Sequence, residues 1–382
     1  MLNIENYKLA SGALLKFQLL PVLFVIVCLV SAKSTPTFSQ TRAEAYKRAA
    51  MLDNGINISW LERTWDARTL DRKPVTAADF QLLKKLGFKS IRLPVAFEYY
   101  RAKHIPVATL LKQVDYIWQL CNKYGLKLVI DYHYGTLNDI NYESETQVII
   151  NIWSVIARKY IKIPADKLFF EIYNEPPPMN PQRWKDAAYN IVTAIRKIDA
   201  KRTLLVGASN FNSIYELSRM VRLGDENIIY TCHFYEPFFF THQGASWAGD
   251  QVSTIGVPFP YSVENFPELN PKAKNTWGET NYHQYKNDGN EQSVKDKLQI
   301  VKNWAGSYGV PVICSEYGVY NEHADANSRC RYIKTVRSAL KQLQIPGMLW
   351  EYDGNFSIFS GKPAINTLPD CMKDAIGYKP KK

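Results

Sequence analysis

Short apolar runs alternate with longer amphipathic stretches along this chain from residue 53 onward. That alternation is typical of repeated βα units, whose strands lie side by side in a parallel sheet. The pattern recurs eight times, which is the number needed to close such a sheet into a barrel. The predicted strands are residues 55–60, 89–94, 127–133, 168–173, 203–207, 227–235, 310–316 and 347–352.

Helical periodicity fills the intervals between these strands. Thr76 ahead of Asp79 suits a capped helix start, and Pro181 suits a first helical turn. The alternation therefore predicts an α/β fold, a single-domain (β/α)₈ TIM barrel over residues 50–378. The predicted helices are residues 76–87, 108–124, 145–160, 181–199, 213–222, 291–308, 325–343 and 364–376.

One connection breaks the rhythm of short loops. Residues 236–290 are far longer than the ~12 to 15 residues at which a loop becomes unusual in a compact domain. We expect such a connection to be functional or partly disordered. The chain has no Pro/Gly/Ser linker and no internal repeat, so the sequence indicates no separate binding module.

The N-terminus has the pattern of an export signal. Lys8 and Lys16 precede an uncharged run over residues 17–32 that ends in small residues. This run is shorter than the ~20 apolar residues of a spanning helix, which favours a cleaved signal over an uncleaved anchor. We therefore predict a signal peptide over residues 1–32, a leader over residues 33–49, and a secreted or periplasmic protein.

The charge and the cysteines argue against a nucleic-acid-binding protein and against a disulfide-rich scaffold. The net charge of +11 is dispersed, as on a solvated surface, and no basic helix or nucleic-acid motif is present. Loss of Cys28 with the signal leaves five cysteines, which is not a disulfide framework. Cys330 and Cys371 lie in helical segments and are candidates for a disulfide in an oxidising compartment, whereas Cys232 and Cys314 resemble buried thiols.

Polar residues collect where the predicted strands end. In a (β/α)₈ barrel the carboxyl ends of the strands meet at one face, and that face carries the chemistry. The residues at these ends are Arg92, Asp131, His133, Asn174, Glu175, His233, Tyr235, Glu316, Trp350 and Glu351.

Glu175 and Glu316 are the candidate reactive pair. They end strands four and seven, three strands apart on the ring, so they face each other across the mouth. Two carboxyl groups can flank one glycosidic bond, about 5 to 5.5 Å apart in a retaining enzyme and about 6.5 to 9.5 Å apart in an inverting one. Membership of a structural ion pair is the alternative reading of either residue.

Asn174, Glu175 and Pro176 resemble the Asn-Glu-Pro motif of a large clan of retaining (β/α)₈ glycosidases. The ordered segments IRLP, DYH, NEP, HFYEPFFFTHQGASW, SEYG and LWEY are similar to glycoside hydrolase family five, the cellulase family, from about residue 50 to residue 376. The resemblance implies that Glu175 is the acid/base and Glu316 the nucleophile, with Tyr235 hydrogen-bonded to Glu316.

The block FFFTHQGASW resembles bacterial endo-β-1,4-glucanases of that family, some of which also take β-mannan. The resemblance implies a retaining, endo-acting β-1,4-glucan hydrolase. At the end of strand three several of these enzymes carry a His-His pair where this chain has Tyr132-His133, which bears on mannan preference. The residues implied to bind sugar are Arg92, His133, Asn174 and His233 at the cleavage point, Trp350 as a stacking floor, and His242 and Trp247 from the long connection.

The expected mechanism begins with Glu175 protonated, its pKa raised by the negative charge of Glu316. Asn174 is expected to hydrogen-bond the sugar 2-hydroxyl. Trp277 and residues 238–240 are candidates to extend the aromatic platform or to pack the connection down.

We expect a monomer with a polysaccharide or oligosaccharide substrate and no stable membrane partner. No cofactor is expected, and no metal, since the six histidines are scattered without HExxH-like spacing. Alternatives are a β-mannanase or xyloglucanase, exo-action through closure of one groove end by residues 236–290, and a non-catalytic carbohydrate-binding barrel.

Overall fold

A computed structural model describes residues 38–63 and 74–379, and the predicted signal peptide lies outside these residues. Within them eight parallel strands form a closed barrel in chain order, and the last strand pairs with the first. This confirms the predicted (β/α)₈ architecture. The strands are β1 Gly55–Asn57, β2 Ser90–Val95, β3 Lys127–Tyr132, β4 Leu168–Glu171, β5 Leu204–Val206, β6 Ile228–His233, β7 Val312–Tyr317 and β8 Gly347–Leu349.

Helices connect the strands, and six of the eight predicted helices have the predicted bounds to within three residues. The helices predicted over residues 213–222 and 364–376 are shorter, Ile214–Leu217 and Asp370–Ala375. Short helices occur in addition where the sequence predicted loops. The helices are α1 Phe38–Met51, α2 Trp60–Arg63, α3 Ala77–Leu86, α4 Phe97–Ala102, α5 Val107–Tyr124, α6 Tyr142–Tyr160, α7 Pro181–Ile198, α8 Ile214–Leu217, α9 Phe238–Thr241, α10 Trp277–Asp288, α11 Glu291–Tyr308, α12 Ala326–Gln342 and α13 Asp370–Ala375.

Local signals explain where several helices begin and end. At the start of α3, Asp79 accepts a hydrogen bond from the backbone N–H of Thr76 at 2.7 Å, as in a capping box. Asn290 caps α11 by accepting from the N–H of Ser293. Gly309 then ends α11 in the left-handed conformation, which glycine adopts without steric cost.

A helix within the predicted leader closes the N-terminal end of the barrel. Ala49 on α1 and Leu52 just after it are buried in a separate apolar cluster with one residue from each of six strands. Part of the segment that the sequence separated as a leader is therefore packed against the barrel. The strand residues of this cluster are Val129, Phe169, Leu205, Ile229, Ile313 and Met348.

The long connection between β6 and α11 is ordered around an aromatic cluster. Phe239 packs with ring centroids 6.5 Å from Phe266, 6.2 Å from Tyr282 and 5.5 Å from Tyr285. The buried amide of Gln243 bonds the backbone of Val257 in both directions. The aromatic rings belong to the main apolar core or pack against it, so the connection is packed against the barrel as a fixed wall.

Cys330 on α12 and Cys371 on α13 form a disulfide, with Cα atoms 5.7 Å apart. This settles the pairing that the sequence left open. Cys232 and Cys314 are buried thiols, as expected, and so is Cys121. In the described part of the chain no helix combines the length and apolarity needed to cross a membrane.

Candidate active site

The two predicted carboxylates meet at the mouth of the barrel. Glu175 lies four residues beyond the end of β4, and Glu316 lies within β7. One oxygen of each, together with a ring nitrogen of His233, lies within a group of atoms no more than 4.8 Å apart. This close approach of the two carboxylates agrees with the ~5 to 5.5 Å separation of a retaining pair, which is shorter than the ~6.5 to 9.5 Å of an inverting pair.

Arg92 on β2 is the centre of a buried ionic cluster beneath this pair. Its Nη1 lies 2.6 Å from Oε1 of Glu316. Its Nε and Nη2 donate to the two oxygens of Glu171 at 2.6 and 3.0 Å. Nη2 also lies 3.1 Å from Asp131 and 2.7 Å from Oδ1 of Asn174. Because the guanidinium has no exposed surface, these bonds hold it in one orientation.

His133 is held between a carboxylate and an indole. Its Nδ1 lies 2.6 Å from Oδ2 of Asp131. Its ring stacks on Trp350 with centroids 5.6 Å apart and planes 6° apart. Trp350 is half-buried, so the ring predicted as the stacking floor lies at the mouth and is backed by His133.

His233 at the end of β6 and Tyr235, two residues beyond it, contact the two catalytic candidates. His233 Nδ1 lies 2.6 Å from Oε1 of Glu175 and 3.5 Å from Oε2 of Glu316. Tyr235 donates its hydroxyl to Oε2 of Glu316 at 2.9 Å, as the sequence predicted. The β6–β7 register shifts beside His233, which brings it level with Glu316. Such irregularities redirect side chains at active sites.

Burial raises the pKa of Glu175 to about 7, and His133 and Arg92 act in the opposite direction. The expected elevation is present, but its expected cause, repulsion from Glu316, is wrong. The Glu316 carboxylate is already paired with the Arg92 guanidinium at 2.6 Å, so desolvation by the surrounding protein is the dominant effect.

Burial also acts on the neighbouring groups. It raises the pKa of Asp131 to about 7, with Arg92 opposing the change. It lowers the pKa of His133 and of His233 to about 4 in each case. Both imidazoles are therefore neutral near pH 7 and act as hydrogen-bonding groups there, with no charge of their own.

Tertiary structure brings together ligand-type atoms that the sequence scatters. Nitrogen of His233 and oxygens of Glu175 and Glu316 converge, although the spacing of the six histidines indicated no such group. These atoms are already bonded to one another and to Tyr235. The expectation that no metal takes part stays a prediction.

A cavity of about 660 Å³ extends from Glu175 under the long connection. Both residues predicted to reach the sugar from that connection, His242 and Trp247, line it. Phe238 stacks on His242 with centroids 3.9 Å apart and joins Trp277 in the lining. Phe239 and Phe240 are instead buried beneath the connection, so the candidate platform divides into lining rings and packing rings.

Sequence reasoning missed Glu171 and Asn57, and assigned no role to Asp131. All three contact the Arg92 guanidinium. A charged residue inside the apolar run of β4 was the available signal for Glu171, since a buried carboxylate requires a partner. Asn57 offered no comparable signal.

The turn after β5 was also missed. Asn210, Phe211 and Asn212 all have positive φ, between 55° and 61°, which non-glycine residues seldom adopt. The backbone N–H groups of Asn210 and Phe211 donate to the carbonyls of Pro177 and Pro176. This left-handed turn therefore packs on the segment that follows Glu175 and lines the cavity.

The sequence model of one protein family, described as cellulase (glycosyl hydrolase family 5), matches residues 52–356. The chain belongs to glycosyl hydrolase family 5. This match covers all eight strands and both carboxylates of the site. Family membership makes the chain a glycosidase.

Curated relatives of this family 5 protein include two named endoglucanases. Endoglucanase 3 of Fibrobacter succinogenes is 32% identical over 355 residues, which cover 85% of this chain and 53% of that protein. Endoglucanase C of Acetivibrio thermocellus is 29% identical over 319 residues, covering 78% and 90% respectively. The chain thus spans about half the length of the first relative and nearly all of the second.

Solved structures share the fold. A hyperthermophilic endo-β-1,4-glucanase in complex with substrate superimposes with a TM-score of 0.71 at 24% identity, covering 87% of this chain and 99% of that one. Cel5A of Thermotoga maritima in complex with mannotriose gives 0.68 at 22% identity, with the same coverage. Both confirm the barrel.

Proposed function

We propose that this family 5 protein is a retaining, endo-acting β-1,4-glucanase. The observation that carries the proposal is the convergence of Glu175 and Glu316 within 4.8 Å in two different environments. Glu316 is 4% exposed and ion-paired with Arg92, whereas Glu175 has a raised pKa and a third of its side chain in solvent. The endoglucanase names of the relatives support the same substrate class.

In the proposed mechanism the two carboxyl groups take different steps. Glu316, positioned by Arg92 and Tyr235, attacks the anomeric carbon and forms a glycosyl-enzyme. Glu175, protonated below its pKa of about 7, gives its proton to the leaving oxygen. Ionised Glu175 then takes a proton from the incoming water, and anomeric configuration is retained.

The groups around the pair support the sugar at the cleavage point. Oδ1 of Asn174 accepts from Arg92, which leaves its amide N–H groups to donate to the 2-hydroxyl. Trp350 offers a half-buried ring for the apolar face of a pyranose. Binding surface lies both at Trp350 and in the cavity beyond Glu175, which suits cleavage inside a chain.

Hydrolysis of a substrate panel tests this proposal. Carboxymethylcellulose, barley β-glucan, glucomannan and xyloglucan would be compared with wild type, Glu175→Gln and Glu316→Gln. We expect the fastest cleavage on the β-1,4-glucans, a rapid fall in viscosity, and loss of activity in both variants. Faster cleavage of glucomannan or xyloglucan would mean that this polysaccharide is the preferred substrate. Binding without turnover would mean that the protein is a carbohydrate-binding protein and not an enzyme.

We also propose that residues 1–32 direct export and that the protein acts outside the cytoplasm. The signal lies outside the described residues, but the Cys330–Cys371 disulfide is of the kind that persists in oxidising compartments. Fractionation of cells that express the full chain, with mass determination of the mature N-terminus, tests it. An intact N-terminus in the cytoplasm would refute it.

A further inference from the structure

Six lysines collect at the end of the barrel opposite the catalytic mouth. They lie in or beside the turns that lead from α3 into β2, from α5 into β3 and from α6 into β4, which are neighbours in the barrel. Five of the six are exposed, and the sixth, Lys127, is half-buried. Positive charge that is dispersed along the sequence is thus gathered in part on one surface. This basic face consists of Lys84, Lys85, Lys89, Lys123, Lys127 and Lys167.

Backbone hydrogen bonds place three of these lysines in a row. The N–H of Lys127 donates to the carbonyl of Lys89 at 3.0 Å, and the N–H of Leu128 donates to the carbonyl of Lys167 at 3.0 Å. Neighbouring strands lie ~4.8 Å apart, so the row crosses about 10 Å of surface. No lysine of the basic face forms an ion pair with a residue that the structure describes, so their charges are available to an external anion.

Helix ends explain only half of this charge. Three of the six lysines lie in the last turns of α3 and α5, where the carbonyl end of a helix stabilises a cation. Lys89, Lys127 and Lys167 lie beyond the helices, where that effect has faded. Two acids of the neighbouring turns, Asp53 and Asp166, leave an excess of at least four positive charges.

A recess of about 320 Å³ continues the basic face towards α12. It is lined by three cations, Lys89, Arg337 and Lys341, and by one acid, Asp53. A guanidinium group and ammonium groups around a recess are suited to a phosphate group, whose oxygens accept several charge-assisted hydrogen bonds. The face thus combines a field of positive charge with a place for a single anionic group.

The mouth of the barrel has the opposite character. There Arg92 is buried among Asp131, Glu171 and Glu316, and Glu175 lies beside them. Acidic groups therefore outnumber the cation at the mouth. An anionic surface is attracted to the basic face and repelled from the mouth, which orients the molecule on such a surface.

The chain enters the described domain at the basic end. Ala49, on α1, is buried in the apolar cluster that closes this end of the barrel. Arg42, near the start of α1, donates to Glu226 at 2.5 Å, in the turn before β6. The first described helix, which follows the predicted export signal along the chain, therefore lies at the same end as the basic face.

We propose that the basic face docks this protein reversibly on a bilayer that contains anionic phospholipids, with the catalytic mouth directed away from the surface. The phosphodiester headgroups supply the negative charge, and each lysine close to such a surface increases binding about fivefold. The association is electrostatic and reversible, so it differs from a stable membrane partner. It goes beyond the proposed glucanase activity and does not depend on it.

Sedimentation with vesicles tests the docking. The mature protein would be mixed with vesicles of phosphatidylcholine alone, or of equal amounts of phosphatidylcholine and phosphatidylglycerol. We expect the protein to sediment with the anionic vesicles at about 0.1 M salt and to stay in solution with the neutral ones. Release is expected near 1 M salt, where the screening length falls from about 10 Å to about 3 Å.

Charge reversal locates the surface. The triple variant Lys89→Glu, Lys123→Glu and Lys167→Glu changes three exposed side chains of the basic face and is expected to lower vesicle binding at least about 10-fold. Circular dichroism checks that this variant is folded.

The matched control reverses three lysines at the mouth end. Lys272, Lys274 and Lys286 are exposed on the long connection, and their replacement by Glu changes the net charge by the same amount. We expect this control to keep vesicle binding within about 2-fold of the wild type, because its altered charges lie more than a screening length from the docked surface.

Several results would overturn the docking. They are absence of binding to anionic vesicles, equal binding to both kinds of vesicle, and binding to a soluble polyanion such as heparin without binding to vesicles. Undiminished binding by the folded basic-face variant, or an equal loss in the control, would overturn the placement of the surface.

Cellotetraose hydrolysis by the vesicle-bound protein tests the orientation. The rate is expected to equal that of the free protein, and a loss of activity on docking would contradict an outward mouth. Absence of hydrolysis in the free protein would overturn the proposed function, whereas sedimentation would still decide the docking.

Discussion

Raising the pH through the pKa of Glu175 tests its proposed role as the general acid separately from other contributions to activity. With a pKa of about 7 in the folded protein, Glu175 is about 90% protonated near pH 6 and about 10% near pH 8. The first step requires the proton, so kcat/KM for a glucan is expected to fall about ninefold over that interval. Burial is the cause of the high pKa, and the direction of the change follows from it.

The choice of leaving group decides whether Glu175 is responsible. Dinitrophenyl β-cellobioside releases a phenolate that needs no proton, so its rate of glycosyl-enzyme formation is expected to stay level between about pH 6 and pH 8. Cellotetraose and this aryl glycoside would be compared by initial rates at each pH. Glu175→Gln should lose cleavage of the glucan at every pH and still release the phenolate.

A parallel fall in the rates of both substrates would refute the role of Glu175 as the acid. If both substrates lose rate in parallel above pH 7, the titrating group is not the acid, and the raised pKa of Glu175 has no mechanistic consequence. Circular dichroism at pH 8 is the control, because unfolding would lower both rates together. The assignment is supported if the protein stays folded, the rate of glucan cleavage falls above pH 7 and the rate with the aryl glycoside does not change.

Three further perturbations test the surroundings of the site. Glu171→Gln replaces one of the two charge-assisted hydrogen bonds from Arg92 with an amide N–H that faces the guanidinium N–H. Urea unfolding should show a free energy of unfolding lower by about 2 kcal/mol or more. An unchanged free energy of unfolding would contradict the role of this ionic cluster in stability. Cys330→Ser opens the 41-residue loop closed with Cys371 and should cost about 3 to 4 kcal/mol, matched by reduction of the wild type. Burial lowers the pKa of His242 to about 3. Below about pH 6.5 the imidazole is therefore protonated in the unfolded chain but stays neutral in the native state. From pH 8 to pH 5 the free energy of unfolding of the wild type should therefore fall by about 2 kcal/mol more than that of His242→Gln. An equal fall in both proteins would count against a buried neutral imidazole at this position.

Local pattern was sufficient for the elements and for placing the proposed reactive pair at one face of the barrel. Alternation of apolar and amphipathic runs is a property of consecutive residues, so it predicted α11 at its observed bounds and all eight strands within a few residues. Parallel strands carry their carboxyl ends to one face, so the residues that end them, Glu175 and Glu316 included, had to meet there. That Tyr235 bonds Glu316 followed from the family resemblance.

Local sequence does not predict which side chains contact each other across the barrel. Arg92 contacts Glu171 and Glu316, which are 79 and 224 residues away along the chain, and those distances are set only when the barrel closes. The acidity of Glu175 has the same origin: its pKa depends on how much protein surrounds the carboxyl group, a quantity that no neighbour in sequence determines. The chain by itself therefore determined the barrel and the residues at its mouth, whereas tertiary packing decided their ion pairs, their protonation and the shape of the cavity, because desolvation and side-chain contact depend on distance in space.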